Sequence, residues 1–269
     1  MTELDALRQD LLDQQENLDA MVAGIPKNDW ERATPSPGWS VRDQIGHLTY
    51  FDATAAEAIT DPDAFAVNAG RLVEAVMAGS EDELVLADYR AMESDELLDR
   101  WRANRRALAE AARQLDPGTR VPWYGPSMGA KSFLTARLME AWAHGTDVAD
   151  ALDRRLVATD RLRHIAQLGY LTRGWSYAVR GEVAPAVEVR LDLTSPAGQR
   201  WQWGPDDAGE VVEGPAEDFC LVVTQRRHLD DTALVVGPEG RHWLVRAQAF
   251  AGAPTTGPAA QGTEGSGHG

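Results

Sequence analysis

A glutamate and a histidine stand four residues apart in the stretch MEAWAHGTD, residues 139–147. In a helix, this spacing places Glu140 and His144 on one face, with their Cβ atoms about 5–6 Å apart. A carboxylate oxygen and an imidazole nitrogen at that separation can bind one divalent cation. Two ligands make a weak site, so the pattern predicts a third ligand from another part of the chain.

His47, in RDQIGHLTYF, is the predicted third ligand among the six histidines. Like Glu140 and His144, it lies on the flank of the apolar stripe of its helix, where a side chain can meet a neighbouring helix and still reach a cleft. His164, in RHIAQLG, fits the same pattern, and spacing alone leaves both histidines open. The competing interpretation of each histidine is a hydrogen-bonded core residue, since Glu-x-x-x-His pairs also arise by chance.

A glycine stands beside each of the two histidines. Gly46 precedes His47, and Gly145 follows His144. Because glycine lacks a Cβ, it allows two helices to approach closely, although it costs up to ~1 kcal/mol of helix stability.

The elements that would position these side chains are amphipathic helices. Ser40, with Asp43 three residues on, is typical of a helix start, which by itself explains Asp43. Apolar residues recur at helical steps in six segments, which are 4–21, 41–59, 72–77, 97–115, 134–152 and 160–180. Helices of this length predict a helical bundle over residues 1–181.

The pattern changes after Gly181. Apolar and polar residues alternate over 187–194 and again over 200–203, which predicts a hairpin. Pro215 is a favoured helix start, while 234–236 and 241–251 indicate a further strand and helix. We therefore expect a small α+β domain over residues 182–251. The polar tail 252–269 is predicted to be disordered.

Composition excludes several classes of function. The formal net charge of the 269 residues is −16, which argues against a nucleic-acid partner because phosphate binding needs an excess of Lys and Arg. The charged N-terminus is unlike a signal peptide, and no apolar run approaches the roughly 20 residues of a membrane span. With one cysteine and therefore no internal disulfide, a cytoplasmic protein is expected.

Two sequence motifs resemble those of the DinB-like, mycothiol-dependent maleylpyruvate isomerase superfamily. They are GWSVRDQIGHL (38–48) and RLMEAWAHGTDVADAL (137–152). The resemblance implies a four-helix bundle that binds a divalent metal, followed by a smaller α+β domain. Matched residue by residue, the metal ligands of the family correspond to His47, Glu140 and His144.

The same resemblance implies a chemistry. The resemblance implies zinc as the bound ion, although two imidazoles and a carboxylate also suit iron, nickel or manganese. The bound co-substrate would be a low-molecular-weight thiol such as mycothiol, whose sulfur adds to a small electrophilic substrate for cis–trans isomerisation or S-transfer. The family also places an arginine from the C-terminal domain in the site. Arg226 and Arg227, in TQRRH, are the candidates, with solvated or ion-paired arginines as the competing interpretation.

Two alternative functions stay open at this point. One is a thiol-independent, metal-dependent hydrolase or lyase, and the other is a non-catalytic metal-binding or stress-response module whose metal is structural or absent. Cys220, in AEDFCLVV, is interpreted as a small buried hydrophobic residue, so the nucleophile would come from outside the chain. The loop WYGPSM (123–128) could line a pocket mouth or pack down on the bundle. Asp147 could support a ligand histidine, or it could cap the helix or form an ion pair.

Overall fold

The computed structural model describes residues 2–261. These residues divide into two compact units, with the boundary between Leu156 and Val157. No helix within this range is long and apolar enough to cross a membrane.

The first unit is helical. Its helices are α1 Glu3–Val22, α2 Val41–Thr60, α3 Pro62–Ala78, α4 Glu81–Arg90, α5 Ser94–Ala112 and α6 Ala130–Ala151. A short 3-10 helix spans Lys27–Glu31, and two short antiparallel strands, β1 Arg120–Val121 and β2 Met128–Gly129, precede α6. Helix α2 packs against α5 and α6, and α1 packs against α6 and α5. The predicted helical bundle is therefore confirmed, with α3 and α4 added against α2.

Local sequence fixes where α2 begins. The Ser40 hydroxyl accepts a hydrogen bond from the Asp43 backbone N–H at 3.3 Å, and the Asp43 carboxylate accepts one from the Ser40 N–H at 2.8 Å. This is the predicted capping box, and removal of such a cap costs about 1 kcal/mol. Asp43 also accepts a 2.7 Å hydrogen bond from Arg90 of α4, which ties the start of α2 to its neighbour.

The two glycines beside the histidines do allow close packing. A Cβ on Gly46 would lie 3.0 Å from the Cβ of Tyr89 on α4. A Cβ on Gly145 would lie 3.3 Å from Leu156 and 3.7 Å from Leu18 on α1. A Cβ at either position would therefore make a tight contact, the tighter one at Gly46, so both glycines ease the close packing of α2 and α6 against their neighbours.

The second unit combines helices with a small sheet, as predicted. Its elements are α7 Leu162–Leu171, α8 Arg173–Ala178, β3 Val189–Thr194, β4 Arg200–Trp203, β5 Glu210–Pro215, α9 Ala216–Val223, β6 Val235–Val236 and α10 Pro238–Leu244. The sheet order is β4-β3-β5-β6, with β3 antiparallel to β4 and parallel to β5. The hairpin of β3 and β4 was predicted. Strand β5 was not, because its sequence EVVEGP places glycine and proline where strands rarely carry them.

The segment 160–180 was assigned to the bundle from its periodicity, but the structure groups it with the second unit. The reason is its packing against α9. Gly169 of α7 is so close to Val223 and Phe219 that an added Cβ would approach them to 2.8 and 3.0 Å. A helical repeat predicts that α7 has an apolar face, and it does not say which neighbour covers that face.

The tail was predicted to be disordered from residue 252. Residues 252–261 form no helix or strand, but the Thr255 hydroxyl donates to Gln225 at 2.7 Å and the Gln261 N–H donates to Asp231 at 3.0 Å. Residues 262–269 lie outside the described part of the chain.

Candidate metal centre

The three predicted ligands converge at one point between α2 and α6. Oε2 of Glu140 lies 3.4 Å from Nε2 of His47 and 3.1 Å from Nε2 of His144, and the two imidazole centroids are 4.3 Å apart. One ligating atom from each residue lies within 4.8 Å of the other two. His164, the alternative to His47, lies on α7 in the second unit and is not part of this cluster.

The cluster is only partly closed to solvent. The exposed fraction of the side chain is 17 % for His47, 23 % for Glu140 and 10 % for His144. Three protein ligands leave at least one position free on a tetrahedral ion, which is the arrangement of a catalytic site. The partial exposure of Glu140 gives a small ligand a side from which to approach.

The electrostatics favour the protonation states that a metal requires. Burial, together with the neighbouring imidazole of His144, lowers the pKa of His47 to about 4. Burial would raise the pKa of Glu140, but the hydrogen bonds and charge interactions with His144 and His47 outweigh it and hold that pKa well below its usual value. A neutral imidazole and an ionised carboxylate at neutral pH are the forms that bind a cation.

A partly buried chain of hydrogen bonds leads away from His144, and the sequence analysis missed it. Nδ1 of His144 lies 2.5 Å from Oε1 of Gln44, and Nε2 of Gln44 donates to the Thr34 hydroxyl at 2.8 Å. That hydroxyl donates to the Trp39 carbonyl at 2.9 Å, and Gln44 is fully buried. One signal was available, since Gln44 is a polar residue on the apolar side of α2, three positions before His47.

Aromatic side chains flank the two imidazoles. The Trp39 ring stacks with His144 at 6.1 Å and lies 5.2 Å from His47, and the Phe51 ring lies 4.5 Å from His47. The Trp39 indole N–H donates to Asp82 of α4 at 3.0 Å. Rings held this closely reduce the access of water to the ligand side of the cluster.

The loop 123–128 packs against aromatic side chains, among them Phe51 beside His47. Trp123 stacks on Phe65 at 5.6 Å and meets Phe133 edge-on at 5.1 Å. Tyr124 meets Phe51 edge-on at 5.6 Å, and Phe51 in turn contacts His47. Of the two interpretations of WYGPSM, the structure supports the packed loop, which supports the site through Phe51.

A buried ion pair lies on the same two helices as the predicted ligands. Nη2 of Arg137 donates to Asp52 at 2.9 Å, and the exposed fractions of these side chains are 3 % and 2 %. Gln15 and the Trp101 indole donate to the other carboxylate oxygen at 3.0 and 3.1 Å. The two partners come from separate helices, so residue spacing alone does not indicate this pair.

The remaining predicted residues have the following surroundings. Asp147 is buried and accepts a 3.2 Å hydrogen bond from Ser36. Arg226 and Arg227 follow α9 in the second unit, where each donates to a backbone carbonyl at 2.7 Å, and their role in a site stays a prediction. Cys220 is fully buried, and its burial holds the pKa of the thiol well above the usual value, as expected for an inert core residue.

Comparisons with known proteins extend over most of the chain. The sequence profile of the mycothiol maleylpyruvate isomerase N-terminal domain matches residues 11–149, and a second profile, for wyosine base formation, matches residues 185–236. Two curated relatives are 44 % identical over 249 residues, which are 92 % of this chain and 96 % of theirs. They are uncharacterized protein MT0041 of Mycobacterium tuberculosis (strain CDC 1551 / Oshkosh) and uncharacterized protein Rv0036c of Mycobacterium tuberculosis (strain ATCC 25618 / H37Rv).

The chain also resembles a solved structure, that of the mycothiol-dependent maleylpyruvate isomerase. The TM-score is 0.57 at 16 % identity, over 89 % of this chain and 96 % of the other. A histidine-to-alanine variant of that protein gives a TM-score of 0.55 at the same identity and coverage. At this level of identity the likeness shows a shared fold.

Proposed function

Because the chain belongs to the mycothiol maleylpyruvate isomerase N-terminal domain family, we propose that it is a metal-dependent enzyme that uses a low-molecular-weight thiol. The thiol is mycothiol or a close analogue, and the second substrate is a small electrophile. The reaction class is cis–trans isomerisation or S-transfer.

One observation carries the proposal, which is the convergence of His47, Glu140 and His144 with a partly open side. The donor set fits a divalent cation, because both Nε2 atoms and the carboxylate face a common point and the carboxylate is ionised. Zinc is the ion we favour, and iron, nickel or manganese would suit the same donors. When bound, such an ion lowers the pKa of a thiol and stabilises the thiolate.

The side chains of the protein have distinct tasks in this proposal. The two imidazoles and Glu140 hold the cation, and the negative charge of Glu140 offsets part of the positive charge. Trp39 and Phe51 limit the access of water, which strengthens electrostatic interactions at the site. The thiol comes from outside, since the one cysteine is buried and protonated.

The thiol adds its sulfur to an electrophilic carbon of the substrate. If a double bond becomes single in the adduct, rotation followed by expulsion of the same thiolate gives the isomer, with no net change in composition. If another group leaves instead, the sulfur remains and the result is S-transfer. We include Arg226 and Arg227 as cationic anchors for a carboxylate of the substrate or thiol, as the family resemblance implies.

Metal analysis and thermal shift test the proposal in order. The purified full-length chain is expected to retain about one divalent ion, and mycothiol is expected to raise the apparent Tm of the metal-loaded protein. A ligand at about 100 times its Kd stabilises the native state by about 2.7 kcal/mol. An analogue of mycothiol with a hydroxyl in place of the thiol is the matched control, and maleylpyruvate is the first substrate to assay.

The outcomes separate the alternatives. A metal-loaded chain that responds to no thiol favours a thiol-independent hydrolase or lyase. A chain that retains no metal favours a non-catalytic module and contradicts the proposal.

A further inference from the structure

We infer that the outer face of helix α3 binds a second copy of the chain, in an antiparallel helix pair related by a two-fold axis. The apolar surface involved, here called the α3 stripe, consists of Ala66, Val67, Gly70, Val73 and Met77, all of them exposed. This interface is independent of the proposed metal and thiol chemistry.

Helix α3 has two apolar faces, and the chain itself covers just one of them. Only Phe65 and Leu72 of its 17 residues are buried, on the side that packs against α2 and α4. On the outer side, the exposed fractions of Val67, Val73 and Met77 are 61 %, 51 % and 84 %. A helix that is apolar on both sides is typical of one that is covered on both sides, so the stripe indicates a partner.

The spacing of the stripe is that of a seam between two helices. Ala66, Gly70, Val73 and Met77 follow each other at steps of four, three and four residues. At about 100° per residue, these steps keep all four on one side of the helix, as in the contact residues of a coiled-coil pair. A second helix can therefore lie along α3 for about three turns.

Gly70 indicates a close approach from outside the chain. Glycine in the interior of a helix lowers helix stability, and a Cβ here would meet nothing within 4 Å elsewhere in the described part of the chain. Packing within the chain therefore does not explain the missing side chain. A neighbouring helix that crosses at Gly70 would fill the space that the glycine leaves.

The order of residue sizes along the seam favours a second copy as the occupant. The small residues Ala66 and Gly70 occupy its first half, and the larger Val73 and Met77 occupy its second half. In an antiparallel pair, Ala66 of each copy faces Met77 of the other, and Gly70 faces Val73. Each layer then combines a small and a large residue, which fills the interface, and both copies use the same patch, as a two-fold axis requires.

The charges beside the stripe fit the same alignment. Arg71 and Glu74 are exposed on one side of it, and neither forms an ion pair within the described residues. The two-fold axis would bring Glu74 of each copy to the side on which Arg71 of the other lies, within reach of that long side chain. Because these are the charged residues of segment 66–77, the segment has no net charge, whereas the whole chain carries −16.

The contact is small, so the dimer is expected to be reversible. Val76, with an exposed fraction of 57 %, lies at the edge of the stripe and adds to the contact. Even so, a seam of three turns buries less than the roughly 800 Å² per partner of a standard interface. We therefore expect a Kd in the micromolar to millimolar range.

Helix α3 also connects this interface to the candidate metal centre. On the buried side of α3, Phe65 stacks on Trp123 at 5.6 Å. Tyr124, the next residue, meets Phe51 edge-on beside His47. A second copy on the outer side of α3 would hold the helix against these aromatic side chains.

Disulfide trapping in the full-length chain tests the alignment. The double variant Ala66→Cys/Met77→Cys places two cysteines opposite each other in the antiparallel pair, where a disulfide needs Cα atoms within about 7 Å. The matched control is Ala66→Cys alone, because its two thiols would lie about 16 Å apart along the antiparallel helices. Mild oxidation and non-reducing electrophoresis give the result, and Cys220 is buried and stays in both variants.

Analytical ultracentrifugation from micromolar to millimolar protein concentration measures the Kd of the dimer. Val73→Glu would bury a carboxylate at the centre of the contact, so it is expected to raise the Kd by about tenfold or more. Val183→Glu is the matched control, since it adds the same charge at a valine of the second unit that is 92 % exposed. The wild type and Val183→Glu are expected to dimerise alike, and only the double cysteine variant is expected to form a linked dimer.

Three results would overturn the inference. The first is a wild type that remains monomeric at millimolar concentration, and binding of that monomer to lipid vesicles would show that a membrane surface covers the stripe instead. The second is equal cross-linking of the single and double cysteine variants, which would exclude the antiparallel alignment. The third is a dimer whose Kd does not change in Val73→Glu, since its contact would then lie on another face.

Discussion

Nε2 of His47 and Oε2 of Glu140 lie 3.4 Å apart, although 93 residues separate them in the chain. The contact brings together one side chain from α2 and one from α6, two helices that pack directly against each other. The rest of the cluster follows from this pairing, because His144 is one turn further along α6.

Removal of one ligand is expected to release the metal and to leave the bundle folded. His144→Ala leaves a two-residue donor set, which binds weakly, while most contacts of α6 remain. Metal content by mass spectrometry and helical content by circular dichroism are the measurements. His164→Ala is the matched control, since His164 lies in the second unit outside the cluster. Wild-type metal content in the His144→Ala protein would remove this residue from the site.

The metal-free protein is expected to lose stability between about pH 6.5 and pH 4. His47 has a pKa of about 4 in the native state against 6.5 in the reference state. Over that window the unfolded chain binds a proton that the native chain does not, so the free energy of unfolding falls as the pH falls. The full effect is about 3 kcal/mol, and it is complete below pH 4.

Glu140 adds to the loss at lower pH. Its native pKa is held well below 4.5, so its contribution is present above that value and disappears as the pH falls through the native pKa. Urea unfolding at several pH values checks both groups, with His47→Phe as the comparison. Parallel pH profiles of the wild type and His47→Phe between pH 6.5 and 4 would contradict the assignment to His47.

The ion pair of Arg137 and Asp52 is expected to show strong coupling. Arg137→Met leaves a buried carboxylate without its counterion, which costs about 3–5 kcal/mol. Asp52→Asn replaces the carboxylate with a neutral amide, so no buried charge is left without a counterion. The double variant of Arg137→Met and Asp52→Asn is therefore expected to be more stable than Arg137→Met alone. Urea unfolding of the wild type, both single variants and the double variant gives the coupling energy. Additive effects of the two substitutions would argue against the pair.

Two glycines of the second unit give a matched test of packing. Gly169→Ala would place a Cβ 2.8 Å from Val223 and 3.0 Å from Phe219, and overpacking of this kind costs about 1–3 kcal/mol. Gly174→Ala, on the next helix, meets nothing within 4 Å and is expected to stabilise by about 0.4–1 kcal/mol because it restricts the unfolded chain. Thermal unfolding of both variants checks the signs, and a neutral Gly169→Ala would show that α9 moves away to accommodate the methyl group.

Most helices could be predicted because their signals are local. The capping box at Ser40 and the apolar stripe of α2 depend on residues within a few turns of one another, and the same holds for the hairpin of β3 and β4. Which elements pack against each other could not be predicted from such local signals. Helix α7 has a periodic apolar face, yet only its close approach to α9 shows that it belongs with the second unit.

For the candidate metal centre, the sequence by itself indicated the pair Glu140 and His144, since the pitch of a helix places residues four apart on one face. Together with the family motif it also indicated His47. Only the tertiary structure decided that Gln44 lies against Nδ1 of His144 and contacts Thr34, and that Arg137 pairs with Asp52. The physical reason is that hydrogen-bond direction and charge pairing between helices depend on distances of a few tenths of an ångström, which helix packing sets and residue spacing does not.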